Sequence, residues 1–250
     1  MSDNSLLWRS THRSDTGLVR RINEDACLDL PEQGVWVVAD GMGGHAAGEL
    51  ASRAIVDALR RMEPGVSLGH LADAVKQRLL KVNQELQAES KKRGGGIIGS
   101  TVVALLAHRN RCIYLWAGDS RIYLYRRERL KQLSRDHSQI EELIAQGIIN
   151  QDEAASCPVS SYITRAVGAD MELELDAEII EPCVGDLFLL CSDGLNKELP
   201  DDEIEQVLEQ FPLQEAAERL MALCIERGAR DNVTFIIAEP MATSVASPTE

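Results

Sequence analysis

The sequence predicts an α+β chain in which sheets are covered by helices within one domain, and three observations carry that expectation. A continuous apolar run at 35–39 ends in the glycine-rich stretch 40–44 and leads into two long stretches of helical periodicity. From Ile97 onward the texture changes to short apolar runs separated by turns. Two further apolar runs, LFLLC and NVTFII, flank another helical stretch near the end of the chain.

Taken in order, Val35 to Ala39 has strand length without alternation, as a strand buried on both faces would. Ala47, Leu50, Ala51, Ala54, Ile55, Ala58 and Leu59 recur at helical spacing as far as Pro64-Gly65. Leu68, Leu71, Ala72, Val75, Leu79, Val82 and Leu86 form the stripe of a second helix that stops at the KKRGGG link. These helices are expected as a pair on one face of a sheet. STVVALLA, RCIYLWA and RIYLYRR are spaced as an antiparallel three-stranded meander. Residues 134–170 are more polar, carry a short helix around Ile140 to Ala145, and read as a small inserted subdomain or flap. DLFLLCS is another buried strand, 201–227 carry helical patterning, and NVTFIIAE closes the fold. The domain is expected over 1–240, with a disordered tail of turn and small residues at 241–250.

Composition bounds the function. At 250 residues and 44% apolar, the chain has ample material for a core. Its 40 acidic against 26 basic residues give a net charge of -14, which repels phosphate backbones and argues against a nucleic-acid partner. Six cysteines are scattered without zinc spacing or a close pair, so they read as small hydrophobes rather than as a disulfide framework. No stretch reaches the ~18 apolar residues of a membrane span, and MSDNSLLWRST lacks the basic and apolar regions of a signal peptide. The expected setting is the cytoplasm, without a membrane partner.

Acids fall at the ends of the apolar runs. Asp40 follows VWVVA, Asp119 follows CIYLWAG and Asp193 follows LFLLCS, while Asp231 precedes NVTFII and Glu24-Asp25 precede ACLDL. Each alone is ordinary turn chemistry. Together, five such ends would repel one another unless a cation neutralises them. Oxygen ligands without His or Cys suit Mg²⁺ or Mn²⁺ better than zinc, and the competing ion, calcium, lacks its usual loop here. Two such ions ~3.5–4 Å apart lower the pKa of a shared water, which is the chemistry of phosphate-ester hydrolysis. A positioned arginine would complete it by bidentate contact with phosphate. Arg20 is near enough in sequence to Glu24, although Arg20-Arg21 also reads as a solvated basic pair.

RxxNED at 20–25, DGMGG at 40–44, GST at 99–101, GDSR at 118–121, SDG at 192–194 and RDN at 230–232 occur in this order. This ordered set resembles the metal-dependent Ser/Thr protein phosphatases, the PPM or type 2C family, in their compact bacterial form. The resemblance spans about Asp15 to Ala238. It implies a four-layer αββα sandwich, two antiparallel sheets flanked by helix pairs, with a metal cluster at one end. By position it implies that Asp40 bridges two ions, that Glu24 and the Gly41 carbonyl complete one shell, and that Asp193 and Asp231 hold the other. Asp119, with Asp193, matches the ligands of a third, weaker ion. Asp25 matches an acid that binds a metal-bound water, Asn232 a supporting asparagine and Arg20 the phosphate clamp, so that Asp40, Asp193 and Arg20 carry the catalysis. The implied cofactors are Mn²⁺ or Mg²⁺, two ions in the core site and a third. The implied reaction is in-line attack of a bridging hydroxide on phosphoserine or phosphothreonine in proteins, without a phosphoenzyme. The implied partners are phosphorylated proteins, a Ser/Thr kinase and its targets, met by a monomer.

Two positions depart from the family pattern. Met42 stands where animal members carry a histidine acid, and it has no proton to give; His45, three residues on, reads as a surface histidine at a helix start. SCPVSSYITRAVG at 156–168 replaces the commoner bacterial flap pattern, while His137 and Ser138 match a structural DHS element. Two alternatives differ in class. A pseudophosphatase-type phosphoprotein-binding module would be marked by a lost ligand carboxylate, and none is lost. A nucleotide cradle would need G-x-G-x-x-G or a P-loop Lys, and GMGGHAAG has neither.

Overall fold

The computed structural model describes residues 6–43, 47–62, 65–150, 153–154 and 162–242. Its strands are β1 (Leu7–Asp15), β2 (Asp25–Leu30), β3 (Val35–Met42), β4 (Gly99–Ser100), β5 (Val102–His108), β6 (Arg111–Ala117), β7 (Arg121–Tyr125), β8 (Leu130–Gln132), β9 (Asp176–Ile180), β10 (Leu187–Cys191) and β11 (Val233–Met241). Its helices are α1 (Ala47–Arg60), α2 (Leu68–Lys92), α3 (Gln139–Ala145), α4 (Asp193–Asn196), α5 (Asp201–Gln210) and α6 (Leu213–Glu226).

Two antiparallel sheets result. One has the order β1-β11-β10-β7-β8; the other has β2-β3-β5-β6-β9, with β4 added against β3. Period-2 alternation sorts each central strand into two cores. In β3, Val35, Val37 and Ala39 face α1 and α2, while Trp36 and Val38 face the opposite sheet. In β11, Val233, Phe235 and Ile237 pack under α5 and α6, while Ile236 and Ala238 join Trp36 between the sheets. Three apolar layers therefore separate four layers of secondary structure, as the sandwich expectation requires. Trp8, Trp36 and Phe188 meet between the sheets, with ring centroids 4.8 and 5.8 Å apart.

The meander expectation is corrected. β5 and β6 form an antiparallel pair, but β7 pairs with β10 and β8 in the other sheet. The chain crosses between sheets at 118–120, where Gly118 takes φ +115 and a Cβ would lie 2.6 Å from the Thr101 side chain. A short loop joins either hairpin partners or two sheets, so spacing could not separate the cases. STVVALLA is likewise split at Thr101 into β4 and β5. Three further strands, β1, β8 and β9, lie outside the expected list.

The expected short helix is α3, with Ser138 at its N-cap accepting from the Glu141 N–H at 3.3 Å. Around it, Ser138 bridges Ile163 within the segment, while the Ser100–Val167 bridge and the His137 N–H on the Gly118 carbonyl, at 2.9 Å, tie its two ends to the sandwich. Much of SCPVSSYITRAVG lies outside the described residues, as do Gly44, His45 and 243–250; β11 runs to Met241, one residue into the expected tail. Among the described residues no helix is long and apolar enough to cross a membrane.

Candidate metal centre

The acids singled out in the sequence lie together at one end of the sandwich because antiparallel pairing stacks their strand ends. Asp25 and Asp40 are directly opposed in the β2–β3 register. Asp193 opens α4 immediately after β10, and Asp231 stands just before β11, the neighbouring strand. Asp119 occupies the crossing between β6 and β7. Asp40 feels the charges of Asp25, Asp193, Asp119 and Asp231.

Backbone and hydroxyl contacts hold this end in place. Thr101, in the break between β4 and β5, accepts the Asp40 N–H on Oγ1 at 3.0 Å and donates its own N–H to the Asp40 carbonyl at 2.8 Å. The same Oγ1 lies 2.6 Å from Ser120 Oγ, which links the Asp40 strand to the Asp119 crossing. His137 accepts the Gly118 N–H on Nδ1 at 3.2 Å and lies 3.0 Å from Asp176 through Nε2, consistent with the structural part read for DHS. Asn232 is fully engaged: Oδ1 accepts the Glu24 N–H at 2.8 Å, and Nδ2 donates to the Thr16 and Ile22 carbonyls at 2.8 and 3.0 Å. It thereby fastens the loop that carries Arg20 and Glu24.

Gly41 has no room for a side chain. A Cβ there would sit 2.0 Å from the Gly48 carbonyl oxygen and 2.6 Å from that of Glu24. The converse holds at Gly48, where a Cβ would meet Glu24 Oε1 and the Gly41 carbonyl, each at 2.6 Å. Strand β3 and helix α1 therefore touch through backbone, and Glu24 Oε1 accepts the Gly48 N–H at 3.2 Å.

Electrostatics divides the acids. Burial pushes the Asp25 carboxyl up to about 7, against a hydrogen bond from Ser192 Oγ at 2.8 Å and with Asp193 and Asp231 raising it further. Burial, then the charge of Asp193, brings Asp119 to about 7 as well. Asp40 is held well above the ordinary carboxylate range by burial and by Asp25, Asp193, Asp119 and Asp231. Asp25 Oδ1 and Asp119 Oδ1 are buried without a hydrogen-bond partner. Unpaired buried carboxylate oxygens are costly, and they are what a hard divalent cation would satisfy. The other two acids carry side-chain cations: Arg20 Nη2 donates to Asp231 Oδ2 at 2.8 Å, and Lys197 Nζ donates to Asp193 Oδ2. Among the described residues no three His, Cys, Asp or Glu side chains already form a metal-binding group. That is expected while the carboxylates repel and two of them turn toward Lys197 and Arg20.

Sequence reasoning missed four contributors here: Lys197, Ser192, Thr101 as a brace rather than a motif letter, and Gly48. The only signal for Lys197 was its place one helical turn after Asp193.

An αββα sandwich with oxygen-only acids gathered at the ends of its strands defines a class of metal-dependent phosphoester hydrolase. Residues 19–232 match the protein phosphatase 2C family, and the chain belongs to that family. The serine/threonine protein phosphatase PstP of Mycobacterium tuberculosis (strain CDC 1551 / Oshkosh) is 37% identical over 239 residues, 94% of this chain. The chain spans about half of that relative's length, 45%. A solved structure of PppA, described as a key regulatory component of the T6SS in Pseudomonas aeruginosa, is 43% identical with a TM-score of 0.88, covering 95% of this chain and 100% of that one. The catalytic domain of PstP, solved in complex with two manganese ions, is 36% identical with a TM-score of 0.83, covering 95% of this chain and 100% of that one.

Proposed function

We propose that this chain hydrolyses phosphoserine and phosphothreonine in proteins, as a cytoplasmic monomer that opposes a Ser/Thr kinase in bacterial signalling. The observation that carries the reading is the convergence of Asp40 with Asp25, Asp119, Asp193 and Asp231 in one buried cluster with orphaned oxygens. In this reading Glu24, Asp40 and the Gly41 carbonyl hold one Mn²⁺ or Mg²⁺ ion, and Asp40, Asp193 and Asp231 hold a second. Asp119 and Asp193 line a third position. When bound, such ions supply charge neutralisation and a water acidified toward neutral pH.

The chain's own groups do the rest. Arg20, now on Asp231, swings to two oxygens of the phosphoryl group, holds it in line and offsets its developing charge. Asn232 keeps the Arg20 loop and Glu24 in register for that contact. Asp25, with Oδ1 free and Oδ2 on Ser192, is placed to accept a proton from water. Met42 offers no proton, so the leaving serine or threonine oxygen takes one from elsewhere. Residues 134–170, anchored through Val167 to Ser100, act as the flap that selects protein substrates.

The test is phosphate release from a phosphothreonine peptide. It should require Mn²⁺ or Mg²⁺ and stop with EDTA, and full activity under EDTA would sink the reading.

A further inference from the structure

Lys197 follows the short helix α4 and directs Nζ back onto Asp193 Oδ2 as an ion pair. The lysine side chain is 47% exposed and the acid 12%, so the ammonium reaches inward from the rim. It also lies within electrostatic range of Asp119 and Asp231. Asp119, 6% exposed, keeps Oδ1 buried and without a hydrogen-bond partner. Lys197 therefore sits beside the two carboxylates that would share the third and weakest ion.

Resting on the phosphatase reading above, we propose that the ammonium of Lys197 takes the cation position beside Asp193 and Asp119, so that this chain works with two divalent ions and a tethered monovalent one. An ammonium and a divalent ion at the same carboxylate oxygens would repel each other, so the two compete for the position. A group on a short tether acts at an effective concentration on the order of millimolar, enough to displace a weakly held ion but not tightly held ones. Charge agrees with this count. Five proposed ligand carboxylates, Glu24, Asp40, Asp119, Asp193 and Asp231, against two divalent ions leave one negative charge, which one ammonium cancels. A lysine suits the position because its compact ammonium offers three rotatable donors and demands no fixed coordination geometry.

The experiment is a Mn²⁺ titration of the full chain, counting free Mn²⁺ by its EPR signal, with Lys197→Met, Lys197→Arg and Lys197→Met/Asp119→Asn alongside. The wild-type chain and Lys197→Arg should bind two ions over the range where Lys197→Met binds three, or the weak class in Lys197→Met should tighten at least tenfold. Adding Asp119→Asn should remove that gain, which places the extra ion. Equal stoichiometry and affinity in wild type and Lys197→Met would overturn the proposal, as would three ions on the wild-type chain over the range where Lys197→Met binds three, and both results leave the phosphatase reading standing. A wild-type chain that binds no Mn²⁺ would instead overturn that reading and this proposal with it.

Discussion

The six-stranded sheet brings Asp25, Asp40 and Asp119 to the cluster, and among the described residues none of them forms an ion pair. The five-stranded sheet brings Asp193 paired with Lys197 and Asp231 paired with Arg20. Strand-end acids of one cluster are thus held in two ways. On one side burial and mutual repulsion push carboxyls toward their protonated forms. On the other side the chain supplies its own cations, from a loop and from the end of a four-residue helix. The two sides therefore respond to metal by different exchanges: protons leave one, while on the other Arg20 is released from Asp231 and Lys197 stays beside Asp193.

The sharpest way to break this contrast is at Asp40. Asp40→Asn should lower turnover of a phosphothreonine peptide by roughly 10³-fold or more. The same change should raise the thermal midpoint of the metal-free chain, because it removes a repelled charge from the cluster. Retained activity would discard Asp40 as the central ligand.

Arg20 tests the other side. Arg20→Ala should cost roughly 10²–10³-fold in kcat/KM on the same peptide, and Arg20→Lys should recover little of it, since an ammonium cannot make the bidentate contact. Mn²⁺ affinity, measured by titration, should hold or rise, because Asp231 loses a competing partner. A drop in affinity would show that Arg20 supports the centre rather than competing for it.

The proton side predicts a pH dependence. Asp25 and Asp119 have an ordinary value of 3.8 and stand at about 7 in the fold, so the folded chain binds more protons between those limits. Their contribution to stability is complete below 3.8 and is lost as pH rises through about 7. Urea denaturation in EDTA should therefore show stability declining over that window, and Mn²⁺ should restore more at pH 8 than at pH 5. A metal-free chain that stabilises as pH rises through the window would contradict the assignment.

The smallest effect belongs to Ser192. Ser192→Ala removes the donor to Asp25 Oδ2 and an acceptor of the Thr234 N–H, and should cost about 1–3 kcal/mol in urea denaturation. No measurable change would mean that water replaces the hydroxyl at both partners.

Much of the fold was legible where burial imposes a pattern. The α1 and α2 stripes, the unbroken run of β3 and the closing β11 all sit between layers, and their apolar spacing records it. β1 and β9 lie at sheet edges with largely exposed residues, so no apolar run marks them; β9's signal is only the alternation of Met171, Leu173, Leu175, Ala177 and Ile179 with acids, which a search for apolar runs passes over. The site shows the same division. The strand-end acids announced themselves by type and order, whereas Ser192 and Gly48 act through Asp25 and Glu24, residues far along the chain, and Lys197 left only its spacing of one helical turn from Asp193.

What the linear chain decides here is which groups exist and which ends of which strands bear them, because residue type and local periodicity are properties of short segments. Asp40, Asp193, Asp231 and the two helix stripes belong to that share. The folded chain decides the rest. It sends β7 across to the second sheet at Gly118, opposes Asp25 to Asp40, and sets Arg20 on Asp231. Those outcomes depend on which surfaces can be buried together and which charges then lie within reach, and both are settled only when segments distant in sequence come into contact.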